Sequence, residues 1–130
     1  MQYFSNKKLN LPDGFFINST EIPSARLVNN LLISSGSDFF SNEKLYQAIK
    51  NSSFFFAIQN ESKRQVFGFV RVTSDKGLNA NLWNLCAQPG KNQKLFYSII
   101  LSLTLEKINR EMPGCSISVQ APQSSFDSLK

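Results

Sequence analysis

Residues 81–112 constrain the fold more than any other stretch. "NLWNLCAQPGKNQKLFYSIILSLTLEKINREM" reads as an apolar strand, a short turn and a long helix. Pro113-Gly114 closes the helix, and "CSISVQAP" alternates Cys115, Ile117 and Val119 as a further strand. Two strands joined through so long a helix must cross over and lie parallel in one sheet. Within the helix Leu95, Phe96, Ile99, Ile100, Leu103 and Ile108 keep helical spacing, while Leu101 and Leu105 add apolar surface on another side. That pattern predicts a helix covered on two sides. Pro89 ends the first strand of the pair by removing a ladder donor. Strand–turn–helix units often hold a phosphate where the helix begins, because the first amides lack acceptors and the dipole favours anions. Such turns are usually rich in glycine. Here the helix opens with Lys91-Asn92-Gln93-Lys94, and the only glycine, Gly90, comes before it.

Upstream, "LPDGFFINST" (Leu11 to Thr20) gives a Pro-Asp-Gly turn and a first strand. Ser19 or Thr20 can cap a helix near Pro23, with Leu27, Leu31 and Leu32 as its stripe, Val28 beside them and Gly36 as its stop. "SNEKLYQAIKNS" from Ser41 predicts a second helix with Leu45, Ala48 and Ile49 inward. The period then changes. "SFFFAIQNE" is a continuous apolar run, predicted to be a buried strand. "NESKRQ" is a polar hairpin loop. In "QVFGFVRVTSD", Val66, Gly68, Val70 and Val72 alternate with Phe67, Phe69 and Arg71. In "LNANLWNLCAQP", Leu82 and Cys86 stand opposite Trp83, Leu85 and Ala87. "QSSFDSLK" begins like a last helix, with Ser124 or Ser125 as its cap. The predicted order is β-α-α-β-β-β-α-β-α, a mixed α/β sheet with three adjacent antiparallel strands, one parallel pair and helices on its faces.

Composition narrows the chemistry. At 130 residues the chain is expected to be one domain, 1–130, and long enough to bury roughly two-thirds of its unfolded surface. The 12 phenylalanines suggest a bulky core. Histidine is absent, which removes the usual base near neutral pH, the Ser-His and Cys-His pairs and the commonest metal ligand, so no metal site is expected. Cys86 and Cys115 form no CxxC pattern and are read as buried, reduced thiols. No apolar run approaches the roughly 20 residues that span a bilayer, and "MQYFSNKKLN" lacks a signal core, so a cytoplasmic protein is expected. The net charge of +5 is dispersed in pairs such as Lys7-Lys8 and Lys63-Arg64, with no basic block. Nucleic acid is therefore not an expected partner; a phosphorylated cofactor would benefit from the field.

The run "GFVRVTSDKGLNANLWN", Gly68 to Asn84, resembles "GFxRxTSD…NAxxWD" of a cyanobacterial and plastid branch of the GNAT family, the acyl-CoA-dependent N-acetyltransferases. The resemblance extends from Phe54 to Gln120. It implies the GNAT-like fold, with acetyl-CoA as cofactor and an amine as acceptor, attacked directly. It also implies that the fourth and fifth strands splay, often at a bulge, so that the pantetheine arm pairs with Leu85, Cys86 and Ala87. The pyrophosphate would then lie on the helix start, reached by Lys91, Asn92, Gln93, Lys94, Leu95, Tyr97 and Ser98.

The chain departs from that family in two respects. Anchored on Pro89, the motif's Gln/Arg falls at Asn92, a loop glycine at Gln93, and its two small positions at Leu95 and Tyr97. Every motif glycine is missing, and larger side chains could fill the phosphate space. Against this, Asn92, Gln93, Lys94 and Ser98 offer donors, and Lys91 and Lys94 add charge. Only "QSSFDSLK" follows, without the family's Tyr acid and short of its usual last strands: either the chain has been trimmed or the acid is absent. The branch's Asp is Asn84 here. No catalytic residue is assigned: Asp75 and Glu43 are the candidate bases, Tyr46 and Tyr97 the candidate acids. A backbone N–H of Cys86 or Ala87 could serve a developing oxyanion. Trp83 is read as core packing or a stacking surface, Arg71 as a partner of Asp75 or of a cofactor phosphate. Cys86 is not read as a nucleophile, having no His to activate it. Two functions stay open, an N-acetyltransferase and a catalytically degenerate GNAT-like binding or regulatory module, for which an exposed edge strand could mediate a homodimer.

Overall fold

A computed structural model describes residues 10–120. Along them run β1 (Phe15–Asn18), α1 (Ala25–Ser34), α2 (Asn42–Lys50), β2 (Phe54–Asn60), β3 (Val66–Ser74), β4 (Asn79–Ala87), α3 (Gln93–Glu111) and β5 (Ser116–Gln120). This is the order read from the sequence; the helix expected over 123–130 lies outside the described residues. The strands form one mixed sheet in the order β1-β2-β3-β4-β5. The first four pair antiparallel, and β4 pairs with β5 in parallel, as the crossover through α3 requires.

Both faces of the sheet are covered, which is why β2 is apolar without alternation: Phe56 and Ile58 face α3, while Phe55 and Ala57 face α1 and α2. The α3 layer brings Phe96, Ile100 and Leu103 onto Val70, Val72 and Leu82. Gly68 lets that helix approach: a Cβ there would sit 3.2 Å from Ile58 Cδ1 and 3.4 Å from Ile100 Cγ1. An aromatic trio of Phe15, Phe67 and Phe96 closes one end, with ring centroids 4.9 to 6.3 Å apart.

Several details differ from the periodicity. Helix α3 is covered on one side only, since Ser98, Ser102 and Glu106 are exposed and Leu105 is 38% exposed. The residue preceding α1 is Ser24, not Ser19 or Thr20, because Asn18 Oδ1 accepts from the amides of Thr20 and Glu21 and holds them in a loop. The buried face of α1 is then Ala25, Val28, Leu31 and Leu32, with Leu27 at its margin. Gly36 does stop it: Gly36 N–H donates to Ile33 O and Ser37 N–H to Leu32 O. Ser41 caps α2 by accepting from Lys44 N–H, and Leu45 and Ile49 are buried.

The largest differences come from two bulges. Ile58 faces Gly68 while Gln59 faces Val66, so Phe67 is an extra residue and Val66 turns to the α1 layer, away from Val70 and Val72. Arg71 faces Trp83 while Phe69 faces Cys86, so β4 takes three steps where β3 takes two. Leu82 therefore shares the α3 face with Leu85 and Ala87, and Cys86 falls on the opposite face, in the α1 layer. Strict alternation had placed Leu82 with Cys86.

Gly68→Leu should lower stability by about 1–3 kcal/mol through overpacking against Ile58 and Ile100. Leu105→Ala, on the wet side of α3, should change it by less than about 0.5 kcal/mol. Urea unfolding of the two variants checks both.

Candidate functional site

The β4 bulge is centred on Asn84, whose φ is +58. A side chain in that region costs about 1–2 kcal/mol in general, and Asn tolerates it better than most. Among the described residues, which end at Gln120, the parallel ladder with β5 runs from Asn79↔Ser116 to Trp83↔Gln120. The bulge thus re-aims Leu85, Cys86 and Ala87 at the residue that reverses the pleat. All three are fully buried in this structure.

From Ala87 the chain turns through Gln88 to Gly90 and enters α3. Gly90 has φ +139, so the one conformation in the turn that L residues rarely adopt falls on the glycine that is present. Asn92 precedes the helix and makes no side-chain cap. The amides of Lys94 and Leu95 find no backbone acceptor among the described residues. No acidic residue lies in the first turn. Helix α2, by contrast, has both a Ser cap and Glu43 there. Lys91, Lys94 and Ser98 are exposed, and neither lysine is in an ion pair among the described residues. The start of α3 is therefore an electropositive end left uncompensated.

The side chains at the family's small positions do not fill this space. Tyr97 is 2% exposed and belongs to the α3-facing core; Leu95 is half-buried against the same core. Gln93 acts elsewhere, donating through Nε2 to the Ala87 carbonyl at 3.1 Å. It bonds the end of β4 rather than an anion.

The acid–base candidates are not brought to one place. Asp75 Oδ1 accepts from the amides of Gly77, Leu78 and Asn79 at 2.8–3.0 Å, and these bonds, led by Gly77, hold its carboxyl below the ordinary range. It caps a turn, and its expected pairing with Arg71 is not made. Tyr97 is in the core. Glu43 and Tyr46 lie one turn apart on α2 and line a common surface recess of about 640 Å³, with Tyr46 43% exposed. Cys86 and Cys115 are both free, Cys115 only partly buried. Burial pushes the Cys86 thiol up to about 12, against a weaker opposing bond from Ser35. Among the described residues no group of three or more His, Cys, Asp or Glu could hold a metal, and no helix is long and apolar enough to cross a membrane.

One cluster escaped the sequence. Arg71 Nε donates to Asn84 Oδ1 at 2.8 Å, and its guanidinium carbon lies 5.5 Å from the centre of the Trp83 ring. Trp83 Nε1 donates to Thr73 Oγ1 at 2.8 Å, so the ring is neither core nor a free stacking surface. Partial burial lowers the pKa of Arg71. The available signal was a charge between two buried valines in "VRV".

Comparison with known proteins bears on the fold. No family model matches the chain. A 49-residue stretch is 37% identical to the uncharacterized N-acetyltransferase ycf52 of Porphyra purpurea, covering 36% of this chain and 28% of that protein's length. The structure is similar to a protein of unknown function from meticillin-resistant Staphylococcus aureus, described as a probable acetyltransferase, with TM-score 0.72, 17% identity and 88% of each chain covered. It is also similar to a GNAT-family acetyltransferase of Streptococcus pneumoniae, with TM-score 0.62, 18% identity, and 87% of this chain and 80% of that one covered. The chain has the GNAT acetyltransferase fold.

Two predictions test the local chemistry. Asn84→Val should cost about 1–2 kcal/mol more than Asn84→Gly in urea unfolding, since both lose the Arg71 bond and only Val opposes the positive φ. For Cys86 the folded pKa lies above its ordinary 9.0, so its stabilising contribution is complete below pH 9 and is lost as pH rises toward about 12. Cys86→Ala should remove that part of the alkaline loss in unfolding curves taken between pH 8 and pH 11.

Proposed function

We propose that the chain is an acetyl-CoA-dependent N-acetyltransferase that passes its acetyl group to an amine by direct attack. The observation that carries this reading is the path of β4: a bulge at Asn84 re-aims it, and its end is delivered to a cationic, uncapped helix start. The GNAT fold supports it.

The residues fit the two ends of the cofactor unequally. At the phosphate end the amides of Lys94 and Leu95 are open, Lys91 and Lys94 supply charge, and Asn92 and Ser98 add donors. The bulk at Leu95 and Tyr97 lies against the core. The missing glycines therefore do not close this end, and the pyrophosphate would be held there. The pantetheine end is tighter. Leu85, Cys86 and Ala87 are buried, and an arm pairing with them would have to make its own opening and displace Gln93 from the Ala87 carbonyl.

When bound, acetyl-CoA supplies the acetyl group as an activated thioester. The chain's part is to orient it along Leu85–Ala87, to donate a backbone N–H of Cys86 or Ala87 to the acetyl oxygen, and to keep water from the buried strand end. The amine must arrive neutral. Its nitrogen would bond the acetyl carbon as the carbon–sulfur bond breaks, and coenzyme A would leave as its thiol. The amine's proton would reach that thiolate through solvent, since Asp75 is committed to its turn and Tyr97 to the core.

A second reading, a GNAT-fold binding or regulatory module without turnover, is favoured by one observation. The strand end that should receive the arm is covered, and its last carbonyl is already bonded to Gln93.

Calorimetric titration with acetyl-CoA separates the two. The transferase should show saturable binding, weakened about ten-fold or more in Lys91→Ala/Lys94→Ala, because each charge-assisted bond contributes about 1.5–3 kcal/mol. No binding at millimolar acetyl-CoA would remove the transferase reading. Binding without thiol release in the presence of an amine panel would select the module.

A further inference from the structure

The Arg71 side chain is fixed at two points, one of which is itself braced. Asn84 Oδ1 holds Nε, the Trp83 ring lies against the guanidinium, and Thr73 Oγ1 holds the Trp83 indole. Its two terminal nitrogens have no protein acceptor, and no carboxylate pairs with it, among the described residues. Among the described residues every fully buried side-chain nitrogen is bonded, so these two reach solvent. Asn84 is neutral, which leaves the full positive charge in place although the group is partly desolvated. A charge in that position is costly unless something compensates it. The chain instead spends a stacking contact and two hydrogen bonds on holding the fork still.

We propose that Arg71 is an anion-binding fork that receives a single carboxylate carried by the acceptor amine, so that the acceptor is an amino acid or a similar amine-bearing acid. This rests on the transferase reading above. With Nε engaged, the two outer nitrogens form a planar pair that matches the two oxygens of a carboxylate. One cation balances one negative charge, which favours a carboxylate over a doubly charged phosphate. The position fits as well: Arg71 faces Trp83 and adjoins the Asn84 bulge that re-aims the proposed acyl site.

Trp83 is the one tryptophan of the chain, so its fluorescence reports the stack directly. The full chain is titrated with propionate and, separately, with propionamide at matched ionic strength. A saturable change with propionate alone, absent in Arg71→Gln and weakened in Arg71→Lys, is the expected result. Equal responses to both probes, or a propionate response that survives in Arg71→Gln, overturns the proposal. Urea midpoints show whether each variant is folded; should Arg71→Gln fail, Arg71→Lys, which keeps the charge and loses the fork, must weaken the response about ten-fold or the proposal fails. Thiol release from acetyl-CoA is then compared for alanine and alaninamide. A preference for alanine of about ten-fold or more in kcat/KM, lost in the Arg71 variants, supports the fork as a specificity determinant. Turnover of both without preference overturns it and leaves the transferase reading standing. With no turnover of any amine the transferase reading fails, and so does the fork as a device for an acceptor; the propionate titration then decides only whether Arg71 binds carboxylate.

Discussion

The left-handed backbone of Asn84 is the constraint on which the rest of the site depends. One extra residue in β4 reverses the pleat, so everything after it faces the other way. Without it Leu85 and Ala87 would turn toward α1, and Cys86 would enter the α3 layer. The positive φ is unfavourable for most side chains. Here the same residue accepts a hydrogen bond from a charged guanidinium, worth about 1.5–3 kcal/mol, enough to offset the strain. The strained residue and its compensating partner are thus one unit.

The two apolar layers turn that local event into a fixed geometry. Gly68 draws α3 close to the sheet, and the Phe15, Phe67 and Phe96 rings fill the end of the layer where β4 hands over to the helix. The start of α3 cannot drift relative to Ala87 without breaking this packing. Along the chain the helix ends are not treated alike. α2 carries a side-chain cap and one acidic residue, Glu43, in its first turn, whereas α3, the longest described helix and the one aimed at the strand end, has neither. Local stability would favour capping both; leaving α3 open is what a site for a negative group requires.

Element order, strand directions and the apolar layers were legible because they rest on changes of hydrophobic period over many residues. The bulges were not, because each is a single-residue count that only the partner strand reveals. Phe67 and Asn84 carry no local mark that separates them from ordinary strand positions. The side of α3 that faces the sheet was only half legible: Phe96, Ile100 and Leu103 were placed correctly, but Leu105 looked as apolar as they do and is wet. Tyr97 was misread by motif position, since counting from Pro89 says nothing of helix phase, and phase turns it into the core. Arg71 and Asp75 looked like partners from spacing. Three turn amides had already taken the carboxylate, and an amide on the neighbouring strand had taken the arginine.

Charge placement ties the two halves of the proposed site together. Lys91 and Lys94 stand beyond one end of the Leu85–Ala87 segment and Arg71 beside the other, and none of the three has a carboxylate partner among the described residues. Among the described residues Lys107 and Arg110 pair with Glu111 and Glu106 on the outer turns of α3, and Lys63 with Glu21. Lys91, Lys94 and Arg71 thus leave positive charge toward both ends of the strand segment that the bulge re-aims. A negative group at either end would relieve the same field, and the segment between them is buried, where such fields are least screened. The bulge then does two things at once: it anchors the arginine and sets which way the strand end faces, so any movement of Asn84 is felt at both ends.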